Sequence, residues 1–409
     1  MIRQIKILIL LLWAQSAWSA GEASYTLPQL ETLALSSSPA VQAMRDQVEA
    51  ARYGVNVAAA FPNTELEYLG GNARPRAGST SGRVSSASLT QPLDLPWQRM
   101  PRIAVAEAGL ESSLAHERAF RAEAIARLRF RFYEMLRREA ELKNATEDRQ
   151  LLDSVRARIA KRVETGEAAK FELIKADAES LNAAKLVQAA AVRVEQSRSL
   201  LSQAVGVPLP AGFGISGSLS AVPGIPAREA LLAGLKSGSA ELARARSEMV
   251  RAQRQLDLER ALRWPGVAVK ATQERDTDFN TSQVGVVVTV PLWDRRSGRI
   301  GEAAAQWSRA RNEYEALGFS LGQSLETAVQ QYEIAQTQVT ALESGIVTQT
   351  EAALKVAEAA YRFGERGFLE VLDAQRVYRA ARSELIAARF ELAAAWVEVE
   401  RLLAAPKGQ

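Results

Sequence analysis

The segment Tyr361-Arg362-Phe363-Gly364-Glu365-Arg366-Gly367-Phe368-Leu369-Glu370-Val371-Leu372-Asp373-Ala374-Gln375 decides the architecture, because it joins two long helical patterns across a break at Gly364. Upstream, a 3,4 spacing runs through Leu325, Ala328, Tyr332, Ala335, Val339, Leu342, Ile346, Gln349, Ala353, Val356, Ala360 and Phe363. Arg299 to Phe363 is 65 residues, about 98 Å if fully helical at ~1.5 Å per residue. Downstream, Val371, Tyr378, Leu385, Leu392 and Val399 hold heptad position a, with Ala374, Ala381, Ala388, Ala395 and Leu402 at d. Alanine at d lets a neighbouring helix approach closely, and a strict seven-residue period imposes supercoiling.

The same pattern occurs 198 residues earlier. Gly166-Glu167 corresponds to Gly364-Glu365, Glu172 to Glu370 and Ala176 to Ala374. The seam also corresponds, with Leu173, Ser180, Val187, Val194 and Leu201 at a and Ala176, Ala183, Ala190, Ser197 and Ala204 at d. Near the start of each half, SSPAVQAM around Pro39 resembles SGSAELAR around Ser239. This is an internal repeat of about 200 residues.

All 14 prolines fall outside two windows, 102–207 and 292–405, so these windows read as helical territory. Two inserts between them read as strand hairpins. Thr64 to Leu69 alternates, and Val284, Val286, Val288 and Val290 fall on one face with Gly285, Val287 and Thr289 on the other. Polar loops follow at Gly70 and Gln273, and the stretch Val84 to Thr90 is the weakest of the four strands. Strands of about 9 to 11 residues suffice to cross a bilayer at a tilt.

The expected organisation is a signal segment (1–19), a first repeat (20–205), a linker (206–226), a second repeat (227–403) and a tail (404–409). The first repeat holds a strand hairpin over about 63–92 and a long helical hairpin over about 100–205; the second has them over about 266–291 and 299–403. The signal reading rests on Arg3 and Lys6, the apolar run Ile7 to Trp13, and small residues allowing cleavage after Ser19.

Composition narrows the chemistry. Of 409 residues 72 are Ala, while aromatics make up 6%, which suits closely packed helices. A net charge of +4 falls to +2 without Arg3 and Lys6, too small a surplus for a nucleic-acid partner. The chain has no Cys and one His, which excludes disulfides, thiolate metal sites and an imidazole cluster. His116 reads as a surface residue, and Met44, Met100, Met135 and Met249 do not cluster. No nucleotide, metalloprotease or nucleophile-elbow motif stands in a supporting context, so no catalytic residue, cofactor or resident metal is expected.

Four strands are too few for a closed barrel, and hydrocarbon cannot satisfy the free N–H and C=O groups of open edges. If the hairpins lie in lipid, several copies must pool them. Trp97 and Trp293 then read as part of an interfacial aromatic belt, with core packing the equal alternative.

With its signal segment, 200-residue repeat, hairpins after Phe61-Pro62 and Trp264-Pro265, and paired Gly-x5-acid tips, the chain resembles the outer-membrane efflux proteins of the TolC type over nearly all of its mature length. The short length and QPLDLPWQRMPRIAVAEAGLE at Gln91 resemble the CzcC-like heavy-metal branch. The resemblance implies a mainly α fold with β: long antiparallel coiled-coil helices and two β-hairpins. It implies a homotrimer whose 12 strands form a barrel in outer-membrane lipid, continuous with a periplasmic helical barrel. The partners it implies are a periplasmic adaptor (membrane fusion) protein and an inner-membrane pump of the RND type. The function implied is passive export of small solutes, heavy-metal cations among them, from pump and adaptor to the exterior.

By the same resemblance, Tyr361 and Arg366 match the gate tyrosine and arginine, Glu172 their acidic partner, and Glu370 and Asp373 the acidic rings of the periplasmic entrance. Thr165, Gly166, Glu167, Gly364, Glu365 and Gly367 form the adaptor-docking tips. Glu370 and Asp373, three apart on one helix, face the same way, and threefold symmetry would set six carboxylates around one axis. Arg366 would pair with Glu172 or with a neighbour. Two other functions fit the pattern: a periplasmic coiled-coil scaffold or adaptor, and the outer-membrane component of type I protein secretion.

Overall fold

The computed structural model describes residues 24–74 and 81–403; the signal segment, the tail and the centre of the first hairpin loop lie outside the described residues. In chain order the elements are β1 (Ser24–Thr26), α1 (Leu27–Ser37), α2 (Pro39–Ala59), β2 (Glu65–Ala73), β3 (Gly82–Leu93), α3 (Pro96–Glu164) and α4 (Lys170–Val205). There follow β4 (Gly214–Ser216), α5 (Arg228–Gly238), α6 (Ala240–Ala261), β5 (Gly266–Arg275) and β6 (Asn280–Thr289). The chain ends with α7 (Ser297–Ala341), a π turn (Leu342–Ile346), α8 (Val347–Arg362) and α9 (Phe368–Leu403). It is mainly helical with some sheet. None of these helices is long and apolar enough to cross a membrane.

Two units divide the chain. One holds Ala43–Ala119 and Ser239–Ser320; the other holds the residues up to Gln42, Phe120–Gly238 and the chain from Leu321 onward.

The first unit carries an antiparallel sheet in the order β2-β3-β5-β6. Register aligns Leu66, Leu89, Ala271 and Val284 in one row, and Glu67, Ser88, Thr272 and Gln283 in the next. Side chains alternate between faces. One face therefore presents Leu66, Tyr68, Leu89, Val267, Val269, Val284, Val286 and Val288, and the other is mostly polar, with Glu65, Glu67, Thr90, Lys270, Thr272 and Gln283 beside Leu69 and Val287. Leu66, Tyr68, Val284, Val286 and Val288 are exposed. Among the described residues β2 and β6 pair on one side only. The stretch that reads weakest, Val84 to Thr90, lies in the longest strand and at the centre of the sheet. Strands on both sides supply the pairing that its serines do not favour; Ser88 is buried and donates to Glu67 Oε2 at 3.2 Å.

Helix α3 begins at Pro96, earlier than the proline-free window suggests, because proline is tolerated in the first turns, where N–H groups lack helical acceptors. Its start is tied down by Asp94, whose side chain is 3% exposed and meets Arg99 at 3.1 Å and Arg102 at 2.6 Å. The same guanidiniums donate to the carbonyls of Ala59 (2.7 Å) and Ala58 (2.8 Å), satisfying the free end of α2. In the second half the corresponding entry uses Arg296, a non-glycine residue at φ 58°. Its N–H donates to Asp294 Oδ1 at 2.8 Å and its side chain meets Glu259 at 3.6 Å.

In the second unit α4 and α9 each bury small residues seven apart. Ala176, Ala183, Ala190 and Ser197 are buried on α4, and Ala381, Ala388, Ala395 and Leu402 on α9. A core of Leu30, Leu128, Phe132, Met135, Leu201 and Phe390 closes one end, with Phe213 and Leu219 inside it. The stretch 206–226, expected as a linker, is thus folded onto the unit, and its β4 pairs in parallel with β1.

The helix leading to Phe363 differs from its expected seam. Up to Leu342 the seam is buried apart from the half-buried Val339, but Ile346, Gln349, Ala353, Val356 and Phe363 are exposed, and the buried Leu354 with the half-buried Val347, Thr350, Ala357 and Tyr361 takes the packed side instead. The π turn inserts one residue into the ladder, which advances every later position by one, a rotation of about 100°. Sequence periodicity continues through the turn; the packing does not.

Candidate gate at the helical turns

Both turns end a long helix with a left-handed glycine, Gly166 at φ 81° and Gly364 at φ 77°. A side chain at this φ crowds its own backbone, so glycine is the residue that turns the chain here. The hydrogen bonds match in kind. Glu167 N–H donates to Arg162 O at 2.7 Å, and Glu365 N–H to Ala360 O at 3.0 Å. Glu172 N–H donates to Ala169 O at 2.9 Å, and Glu370 N–H to Gly367 O at 3.2 Å, starting α4 and α9. Thr165 Oγ1 returns to the carbonyls of Lys161 and Arg162. Thr165, Gly166, Glu167, Gly364, Glu365 and Gly367 therefore build two like turns, with both Glu365 and Gly367 exposed.

A cleft of about 450 Å³ lies between the turns, lined by Arg158, Arg162 and Glu167 on one side and Glu358, Tyr361 and Gly364 on the other. Tyr361 is half-buried there. Its ring packs against Phe368, centroids 6.0 Å apart, and beneath the Arg162 guanidinium at 4.9 Å. Burial raises the pKa of its hydroxyl, Arg162 opposes the rise, and the nearby Glu172 adds to it. The phenol is neutral at ordinary pH.

Arg366 bonds Glu370 one turn along α9, and leaves Glu172 aside. Both of those partners are exposed, so solvent screens the link and it adds little to stability. Asp373 is exposed one turn beyond Glu370. The structure thus groups Tyr361 with Glu172, and Arg366 with Glu370. Two further residues hold Tyr361 in place and are not singled out by the sequence pattern. Arg162 reaches across to Tyr361 and to Glu167, at 3.8 Å, and Phe368 is 1% exposed beneath the ring. A basic residue in a helix's last turn was the only available signal for Arg162.

Comparison with known proteins gives this arrangement its context. The profile of the family described as "Outer membrane efflux protein" matches residues 30–207 and 231–405. The cobalt-zinc-cadmium resistance protein CzcC of Cupriavidus metallidurans is 27% identical over 380 residues, spanning 92% of this chain and 90% of that protein. The nickel-cobalt-cadmium resistance protein NccC of Alcaligenes xylosoxydans xylosoxydans is 29% identical over 79% of this chain and 73% of its own. Among solved structures, CusC superposes with a TM-score of 0.81 at 16% identity, covering 93% of this chain and 92% of CusC. The outer membrane protein VceC of Vibrio cholerae does so at 0.77 and 17% identity, covering 93% and 96%. The fold is that of these outer-membrane proteins, and the chain belongs to the outer membrane efflux protein family.

Proposed function

We propose that the chain is the passive outer-membrane duct of a tripartite efflux system. One observation carries the reading: among the described residues, a sheet whose two edges are unpaired, with one face rich in exposed apolar side chains and the opposite face mostly polar. A lone sheet of this kind leaves backbone groups unpaired in lipid, whereas three copies supply 12 strands and close the wall. The apolar face then meets lipid and the polar face, with Glu65, Glu67 and Lys270, lines the pore. Trp97, Trp264 and Trp293, all exposed beside the sheet's ends, suit the interfacial belt. The two repeats, 20–205 and 227–403, contribute one hairpin each to the barrel and one helical hairpin each to a periplasmic tube.

The turns are the periplasmic entrance. Glu172, Tyr361, Arg366, Glu370 and Asp373 form the gate, and the two glycine turns receive the adaptor, through which an inner-membrane pump delivers cargo. Relatives named for resistance to cobalt, zinc, cadmium and nickel support heavy-metal cations as that cargo. The duct needs no chemistry of its own, since drive and selectivity reside in the pump. The test is extraction. Recovery from membranes only with detergent, as an oligomer of three chains that dissociates on heating, supports the duct; a monomer released by osmotic shock sinks it.

A further inference from the structure

Away from the turns, α3, α4 and α9 enclose a groove of about 480 Å³ whose lining includes Asn144. Asn144 is 7% exposed, yet among the described residues no donor reaches its Oδ1. A buried carbonyl has given up water and normally holds a protein donor in exchange, so one left without gains from any N–H or O–H brought to it.

Charge is uneven along the groove. Bonded partners on neighbouring helices lie at nearly equal counts from the glycine turns: Asp153 and Ser180 are 13 and 14 residues from Gly166, and Glu147 is 19 from it while Arg382 is 18 from Gly364. By the same count Arg137, Arg138 and Arg193 share one level, at 29, 28 and 27. Glu141, at 25, accepts from Arg137 and Arg138 at 2.8 Å each, whereas Arg193 is exposed and makes no ion pair among the described residues. Three guanidiniums against one carboxylate leave two positive charges in surplus at this end. Toward the turns Asp148 lies in the field of Arg379, and charge is balanced there. Asn144 stands at 22, five residues from the level of Arg193, or about 7.5 Å of helix rise. Leu186, Ala190 and Ile386, at 20, 24 and 22, give that interval an aliphatic wall.

We propose that this groove binds a small organic anion, with its carboxylate on Arg193, Arg137 and Arg138, its apolar body along Leu186, Ala190 and Ile386, and a hydroxyl donating to Asn144 Oδ1. A cleft of this volume, with aliphatic walls and a few convergent polar groups, suits such a molecule. An inorganic anion is too short to reach from Arg193 to Asn144, and the guanidiniums repel a metal cation. The occupant touches three helices at once and so ties α9 to α3 and α4. The groove lies within one copy, so its occupancy does not depend on the assembly proposed above.

The probe is 4-hydroxybenzoate, titrated calorimetrically into the full chain in a nonionic detergent, beside benzoate, which lacks the hydroxyl, and 4-hydroxybenzamide, which lacks the charge. The parent chain should bind 4-hydroxybenzoate saturably, benzoate about fivefold more weakly and the amide at least about tenfold more weakly. Asn144→Leu should erase the difference between the two carboxylates and leave the affinity for benzoate unchanged. Arg193→Gln, at an exposed position, should weaken both carboxylates about tenfold and spare the amide. Equal affinity of the parent chain for the two carboxylates, or no saturable heat with 4-hydroxybenzoate, overturns the site, and neither measurement needs a variant to fold. Binding that persists undiminished in both variants is adsorption elsewhere and overturns it as well.

Discussion

Glu141 and Asp148 stand seven residues apart on α3 and line one cleft of about 480 Å³ together with Arg137, Arg138, Asn144 and Arg379, yet their pKa values move in opposite directions. Burial alone would raise Glu141, but hydrogen bonds from Arg138 and Arg137, each 2.8 Å, outweigh it and lower the value. For Asp148, 7% exposed, burial dominates; Arg379 and Arg382 offset it only in part and Glu147 adds to it, so the value is raised. The signs follow by linkage. Glu141 contributes stability above its unfolded pKa that is lost as pH falls through its lowered folded value. Asp148 does the reverse: the folded state holds its proton longer, so stability declines as pH rises from the unfolded to the raised folded pKa, and the cost persists above it. Asp148→Asn should therefore raise the melting temperature near pH 7 and flatten the dependence across the acid range. Melts in detergent at several pH values check this; an unchanged slope means that Asp148 is solvated.

The elements differ in how far the sequence discloses them. Glycines with an acid six residues on, at Gly166 and Gly364, announce both turns, and alanines seven apart announce the seam of α4 and α9, because backbone sterics and heptad geometry act locally. Strand β3 is obscure because Ser85, Ser86 and Ser88 owe their conformation to neighbours 15 to 190 residues away. The π turn is invisible for another reason: the 3,4 pattern runs unbroken from Leu325 to Phe363, and only packing decides which half of it faces inward. Within the candidate site, Glu172, Tyr361, Arg366, Glu370 and Asp373 are reached through the family resemblance, whereas the Arg162 and Phe368 contacts to Tyr361 depend on how two hairpins meet. The sheet's two faces, readable from alternation, give a direct test. Val286→Lys, on the apolar face, should cost about 2 to 4 kcal/mol if that position lies near the bilayer centre, whereas Gln283→Lys on the polar face should cost little. Urea unfolding from bilayers compares them, and equal penalties would contradict the assignment of faces.

At the scale of the whole molecule the proposed entrance acts on an ion through its charge. In the proposed trimer, Glu370 and Asp373 from each copy bring six carboxylates to one constriction, and Arg366 neutralises part of that charge through its bond to Glu370. Such a ring concentrates divalent cations and holds them, so it both attracts and obstructs. Removing it should leave assembly intact, because both side chains are exposed and neither supports a core. Glu370→Ala combined with Asp373→Ala is expected to yield the same oligomer, a higher single-channel conductance in planar bilayers and weaker block by a divalent cation added on the periplasmic side. The difference from the parent should shrink in ~1 M salt, where the screening length falls to about 3 Å. A purely steric role for these residues would raise conductance equally at all salt concentrations and leave cation block unaltered. If conductance and block both stay at parental values, the entrance lies elsewhere and the two acids are solvated surface.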